Sequence, residues 1–289
     1  MPNAISKAVL ITGSSTGIGR ATAEMLAASG WTVYATARRL DSIRDLEQRG
    51  CRILALDVCD EASMQAAVAH VEAAEGAVGV LVNNAGYGQE GPIEEVPMAE
   101  VRRQFETNVF GLTRLTQLVL PGMRRQGWGK IVNLSSMGGR LTFPGGGFYH
   151  ATKHAVEALS DALRFEVKGF GVDVIVIEPG PIKTQFGDTA INSIKSVGSA
   201  AAQSPYARFN AQVAAKVREA YEGPMGRLAA GPEAVAKVIQ TAINAPRPRT
   251  RYVVTAAAHI IIGLRRILSD RFFDAFLGTQ FERPAGAPQ

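Results

Sequence analysis

The chain has 289 residues, 46% apolar and 20% charged, enough for a large buried core and unlike a disordered chain. The net charge is only +5, and no block of five or six like charges occurs, so nucleic-acid binding has no support. A mild positive potential suits an anionic cofactor equally well.

The predicted elements alternate from the start. Strands are expected at 7–12, 31–37, 51–57, 78–83, 129–135, 172–178 and 251–255. Helices are expected at 17–29, 41–49, 60–75, 98–126, 149–169, 209–222, 231–245 and within 257–280. Runs such as Val172-Asp173-Val174-Ile175-Val176-Ile177 are apolar on both faces, as strands covered on both sides must be. The alternation predicts an α/β fold, a doubly wound parallel sheet with helices on both faces. No repeat or linker divides the chain, so residues 1–289 read as one domain. Cys51 and Cys59 flank the third strand, and at about 3.3 Å per residue their Cα atoms lie roughly 20 Å apart. That excludes a disulfide and points to a reducing compartment. No signal-peptide pattern precedes Lys7, and the uncharged stretch from Tyr252 to Leu264 is shorter than the ~20 residues that span a bilayer. The expectation is a soluble, cytoplasmic protein.

The first strand runs into Thr12-Gly13-Ser14-Ser15-Thr16-Gly17-Ile18-Gly19 and then a helix. Gly13 permits a tight turn, Gly17 a close approach of backbone to pyrophosphate, and Gly19 close packing of helix on strand. The helix start offers free N–H groups and the positive end of its dipole. The second strand ends in Arg38-Arg39, with no acid before Asp41. An acid there would take a ribose 2′-hydroxyl, whereas an arginine pairs with a 2′-phosphate. NADP(H) is therefore expected over NAD(H), with Arg38 the first discriminator and Arg39 the second. The other reading makes both solvated surface charges.

Tyr149 and Lys153 stand four residues apart, with Ser136 thirteen residues upstream. One helical turn puts phenol and ammonium on one face, and the cation favours the phenolate. Tyr149 then suits proton transfer in carbonyl and alcohol chemistry, with Ser136 holding the same oxygen. Ser135 is the alternative hydroxyl, but adjacent strand residues face opposite sides. Asn108 by itself reads as a mid-helix amide bonding a backbone carbonyl, Asp57 as a strand-end cap, Asn83 and Asn84 as sheet braces, and His150 as helix surface. Glu178 has no evident role.

Together these motifs resemble the short-chain dehydrogenase/reductase superfamily, in its compact single-domain branch, from about Lys7 to Thr184. The glycine loop matches its TGxxxGIG, Asp57-Val58 its adenine-pocket pair, Asn83-Asn84-Ala85-Gly86 its NNAG, and Pro179-Gly180 with Thr184 its PG…T segment. The resemblance implies a Rossmann-like sheet of seven strands in order 3-2-1-4-5-6-7. It implies a catalytic set of Asn108, Ser136, Tyr149 and Lys153. Lys153 would also hold the nicotinamide ribose, Asn108 a water linked to Lys153, and Ile182 and Thr184 the carboxamide. Ser15, Thr16, Ile18, Asp57, Val58, Asn84, Ala85, Gly86, Pro179 and Gly180 complete the expected cofactor contacts.

Two regions depart from the alternation. Residues 185–230, with the soft stretch 195–202 and Tyr206, Phe209 and Met225, read as a substrate lid. Residues 257–289 read as a helical extension with Ile260, Leu264, Leu268, Phe272 and Phe276 on one stripe. That stripe packs on the core or on a sister subunit, the alternative being a helix lying weakly on a membrane surface. Tail and lid resemble the hydroxysteroid- and retinol-dehydrogenase-like group, which implies a hydrophobic ketone or secondary alcohol as substrate and a homodimer or homotetramer. A non-catalytic dinucleotide sensor is the second hypothesis, and a nucleotide-sugar epimerase or dehydratase the third.

Overall fold

The computed structural model describes residues 5–199, 204–222 and 229–284. Seven parallel strands form one sheet: β1 (Val9–Ile11), β2 (Val33–Ala37), β3 (Arg52–Ala55), β4 (Val80–Asn83), β5 (Gly129–Leu134), β6 (Val172–Pro179) and β7 (Arg251–Val254). Their order is β3-β2-β1-β4-β5-β6-β7, as the resemblance implied. The order reverses between β1 and β4, and in such sheets ligands bind beyond the carboxyl ends of the strands at that switch.

Side-chain alternation along each strand builds a core on either face. Val9 and Ile11 of β1 join Ala23 and Leu26 of helix α1 (Gly17–Ala28) and Val235 and Ile239 of α8 (Pro232–Asn244). Leu10, between them, faces Met64 and Val71 of α2 (Glu61–Glu75) and Leu115 and Val119 of α4 (Leu112–Gln126).

Several expected helices differ. Residues 41–49 form two 3-10 turns, Leu40–Ser42 and Arg44–Arg49, broken at Ile43. Ile43 and Leu46 are both fully buried there, so packing fixes a segment too short to hold an α-helix by itself. The helix expected over 98–126 is α3 (Met98–Phe105), a π-turn (Glu106–Gly111) and α4. Gly111 in that turn packs so closely on Val58 that a Cβ would overlap its carbonyl. Helix α5 (Gly147–Glu166) starts ahead of Tyr149.

After β6 come α6 (Phe186–Ser199) and α7 (Ala207–Glu222). Residues 195–199 of the soft stretch are thus helical. Residues 200–203 and Met225 lie outside the described residues. The tail is two helices, α9 (Ala256–Ile267) and α10 (Asp270–Gln280), so the single stripe expected there does not form. Ile262, Phe273, Leu268 and Phe276 pack against Leu141 and Phe143, whereas Ile260 and Phe272 are exposed. The break at Leu268–Ser269 resets the helical phase, and one periodicity does not survive it.

Candidate active site

A cavity of about 1160 Å³ opens at the carboxyl ends of the strands and is lined by Gly13, Ser15, Thr16, Gly17 and Ile18 of the loop into α1. Gly17 has φ +59°, a left-handed conformation, and a Cβ on it would meet the Thr184 methyl at 3.2 Å. Gly19 lies off the cavity wall. A Cβ on it would overlap the Gly13 carbonyl and the Asn84 amide, so its part is close packing under the loop. The loop is held from β4: Asn84 Nδ2 donates to Thr12 O at 2.9 Å and Gly13 O at 3.1 Å. Thr12 Oγ1 accepts from the amides of Asn84 and Ala85. Thr16 caps α1 without a side-chain bond, which leaves the first amides to an anion. Asn83 bonds Asn133 and Thr116 and is the sheet brace expected of it.

Beyond the loop, Arg38, Asp57, Val58, Ala85, Gly86, Pro179, Gly180, Ile182 and Thr184 continue the wall. Arg38 is exposed, with no ion pair among the described residues. Arg39 does not line the cavity, because successive residues leaving a strand point to opposite sides. Asp57 caps its own turn, its Oδ1 accepting from Cys59 N at 3.0 Å. These positions fit a dinucleotide: a glycine cradle a Cβ would fill, uncapped amides for phosphate, and a cation at the far end.

Ser136, Tyr149 and Lys153 line the same cavity. Ser136 follows β5, where its Oγ accepts from Gly138 N at 3.0 Å. Ser135 also borders the cavity, but its Oγ lies against Gly139 and Glu157. Tyr149 is 9% exposed, between the rings of Phe186 at 5.4 Å and His150 at 5.6 Å. Lys153 is buried, and Nζ donates to Leu134 O at 2.7 Å. Burial pulls its pKa down to about 8, partly opposed by Glu157. Asn108 lies behind the wall in the π-turn. Its amide donates to Tyr87 O and Thr152 Oγ1 and accepts from Tyr87 N, tying that turn to α5. A Cβ on Gly86 would stand 3.0 Å from Asn108 Oδ1 and 3.8 Å from Lys153 Nζ.

Two corrections concern single residues. His150 is buried rather than on the helix surface, because the segment 136–146 covers the first turn of α5, and its Nδ1 meets Gly138 O at 3.1 Å. Glu178 has a structural role: it is 1% exposed and accepts from Arg140 at 3.0 Å, with Arg251 at 3.3 Å. Arg251 also pairs with Glu157 and Asp161. Burial, with the like charge of Glu178, raises the Glu157 pKa. Among the described residues, Glu90, Phe143, His150 and Phe186 also line the cavity, and no local motif marked them.

A model of the short chain dehydrogenase family matches residues 7–195. A probable short-chain type dehydrogenase/reductase, VdlC of Helicobacter pylori, is 34% identical, over 92% of this chain and 94% of that one. The NADPH-dependent 3-dehydrocapnine reductase of Ornithobacterium rhinotracheale is 36% identical, over 92% and 94%. A short-chain dehydrogenase of Streptomyces avermitilis has the same fold with TM-score 0.74 and 32% identity, over 95% of both chains. The chain belongs to the short-chain dehydrogenase family. With that family it is an oxidoreductase that binds a nicotinamide dinucleotide.

Proposed function

We propose that the protein interconverts a carbonyl and an alcohol with NADP(H), Tyr149 giving or taking the proton of the reacting oxygen. The observation that carries this reading is that Ser136, Tyr149 and Lys153 line one cavity with the glycine loop and Arg38. Ser136 Oγ orients the substrate oxygen beside the phenol. Lys153 holds the ribose and favours the Tyr149 phenolate, and Asn108 holds a water that links Lys153 to solvent. Ile182 and Thr184 grip the carboxamide, fixing which ring face meets the substrate. When bound, the dinucleotide supplies or accepts the hydride.

Arg38 would pair with a 2′-phosphate, which favours NADP(H) over NAD(H). The substrate end is walled by Phe143, Phe186, Val213, Ile261 and Phe276, which suits a hydrophobic ketone or secondary alcohol. Among the described residues, α6 and α7 act as its lid, and α9 and α10 close its side. By the family resemblance the protein functions as a homodimer or homotetramer, and its two free cysteines suit the cytoplasm. Among the described residues no helix is long and apolar enough to cross a membrane.

NADPH oxidation with a panel of aldehydes and ketones tests the reading, with Tyr149→Phe as control. Turnover by the wild type that falls about 10²–10⁴-fold in the variant is expected. Tight NADPH binding without turnover on any substrate would instead favour a dinucleotide sensor.

A further inference from the structure

Glu90 is an acid that the proposed reaction does not use. It lies on the cavity wall beyond β4 and is 8% exposed. Its backbone N–H donates to Ser193 Oγ at 2.9 Å, but no hydrogen bond or ion pair to its carboxyl forms among the described residues. A Cβ on Gly88 would stand 3.0 Å from the Phe186 ring and 3.4 Å from Glu90 Oε1, and Phe186 packs on Tyr149. The carboxyl therefore lies beside the Phe186 ring that packs on Tyr149, in the same part of the cavity as the phenol. Across from it is His150. A Cβ on Gly146 would stand 2.7 Å from Glu90 Oε2 and 2.8 Å from His150 Nε2, so both atoms border one small space.

Among the described residues neither group has a charge partner there, and the His150 ring offers an acceptor to the space. The Gly138 carbonyl can only accept, so His150 Nδ1 carries the hydrogen and Nε2 presents a lone pair. Burial keeps the imidazole neutral, its pKa lowered to about 4. Burial raises the Glu90 carboxyl to about 8, so without a cation beside it the acid stays protonated at neutral pH. A hydroxyl could bond the protonated carboxyl and the imidazole but would bring no charge to ionise the acid. A primary ammonium offers three hydrogens and the cation that the buried carboxyl lacks.

We propose that Glu90 and His150 form an amine-recognition pair, and that the substrate is an amino ketone or amino alcohol with an apolar tail. The amine lies a few bonds from the reacting carbonyl, and the tail runs along Phe143, Val213 and Phe276. This rests on the carbonyl-reductase reading given above and narrows its substrate class.

The test compares kcat/KM for a long-chain α-amino ketone and for the same ketone without the amine, in wild type and Glu90→Gln. A charge-assisted bond predicts a wild-type preference for the amine of roughly tenfold or more, and a ratio near one in the variant. A wild type that reduces both ketones equally well overturns the amine pair and leaves the reductase standing. A wild type that binds NADPH and reduces neither overturns the amine pair, and the reductase reading falls as well only if the aldehyde and ketone panel also shows no turnover. Octylamine and octanol as inhibitors of the wild type give an answer that needs no folded variant. Octylamine should inhibit at a concentration roughly tenfold lower, and equal inhibition overturns the proposal.

Discussion

Lys153 Nζ stands 5.8 Å from the centre of the Tyr149 ring, and its hydrogen bond goes to the Leu134 carbonyl. The ammonium is thus anchored beside the phenol from the end of β5, in a site that burial makes costly for a charge.

That cost has a pH signature in the apoprotein. The folded Lys153 pKa is lowered to about 8 from 10.5, so the folded state binds the proton more weakly than the unfolded chain. Below pH 8 the penalty is fully present, and it is relieved as pH rises from about 8 toward 10.5. Lys153→Met should be inactive yet more stable than wild type at neutral pH, by on the order of 1–3 kcal/mol. Denaturant melts should show this gap closing across that window.

Arg38→Asp should raise the KM for NADPH at least tenfold, since a charge-assisted bond is worth about 1.5–3 kcal/mol. NADH should be used as well as before or better. Arg39→Asp, off the cavity wall, should change the ratio less. Steady-state kinetics with both cofactors measures this directly.

The Glu157, Glu178, Arg140, Arg251 and Asp161 cluster behind the active site predicts unequal damage. Arg251→Met strips Glu157 and Glu178 of a shared cation and should cost about 3–5 kcal/mol in denaturant unfolding. Glu178→Gln leaves Arg251 its bonds to Glu157 and Asp161 and should cost clearly less.

Gly86→Ala would put a methyl between Asn108 Oδ1 and Lys153 Nζ, where the proposed water would sit. We expect kcat to fall roughly tenfold or more, by a larger factor than any change in NADPH affinity. A variant with wild-type kcat would show that nothing passes through that gap.

What the sequence alone determined was the regular part. Strand positions, parallel topology and the order of motifs follow from local rules: apolar runs of strand length, a glycine loop at one helix start, and two side chains one turn apart. The family resemblance rested on short contiguous segments such as 12–19 and 149–153 and did not require the fold to be known. Tertiary structure decided the rest. It split 98–126 with a π-turn and 257–280 with a break, because close packing, as of Gly111 on Val58, outweighs helical propensity. It buried His150, which periodicity left on the surface, and gave Glu178 its arginines from residues 140 and 251. It also set Glu90 opposite His150, sixty positions along the chain. Such partners meet only when crossovers bring distant segments to one end of the sheet, and no local pattern encodes that meeting.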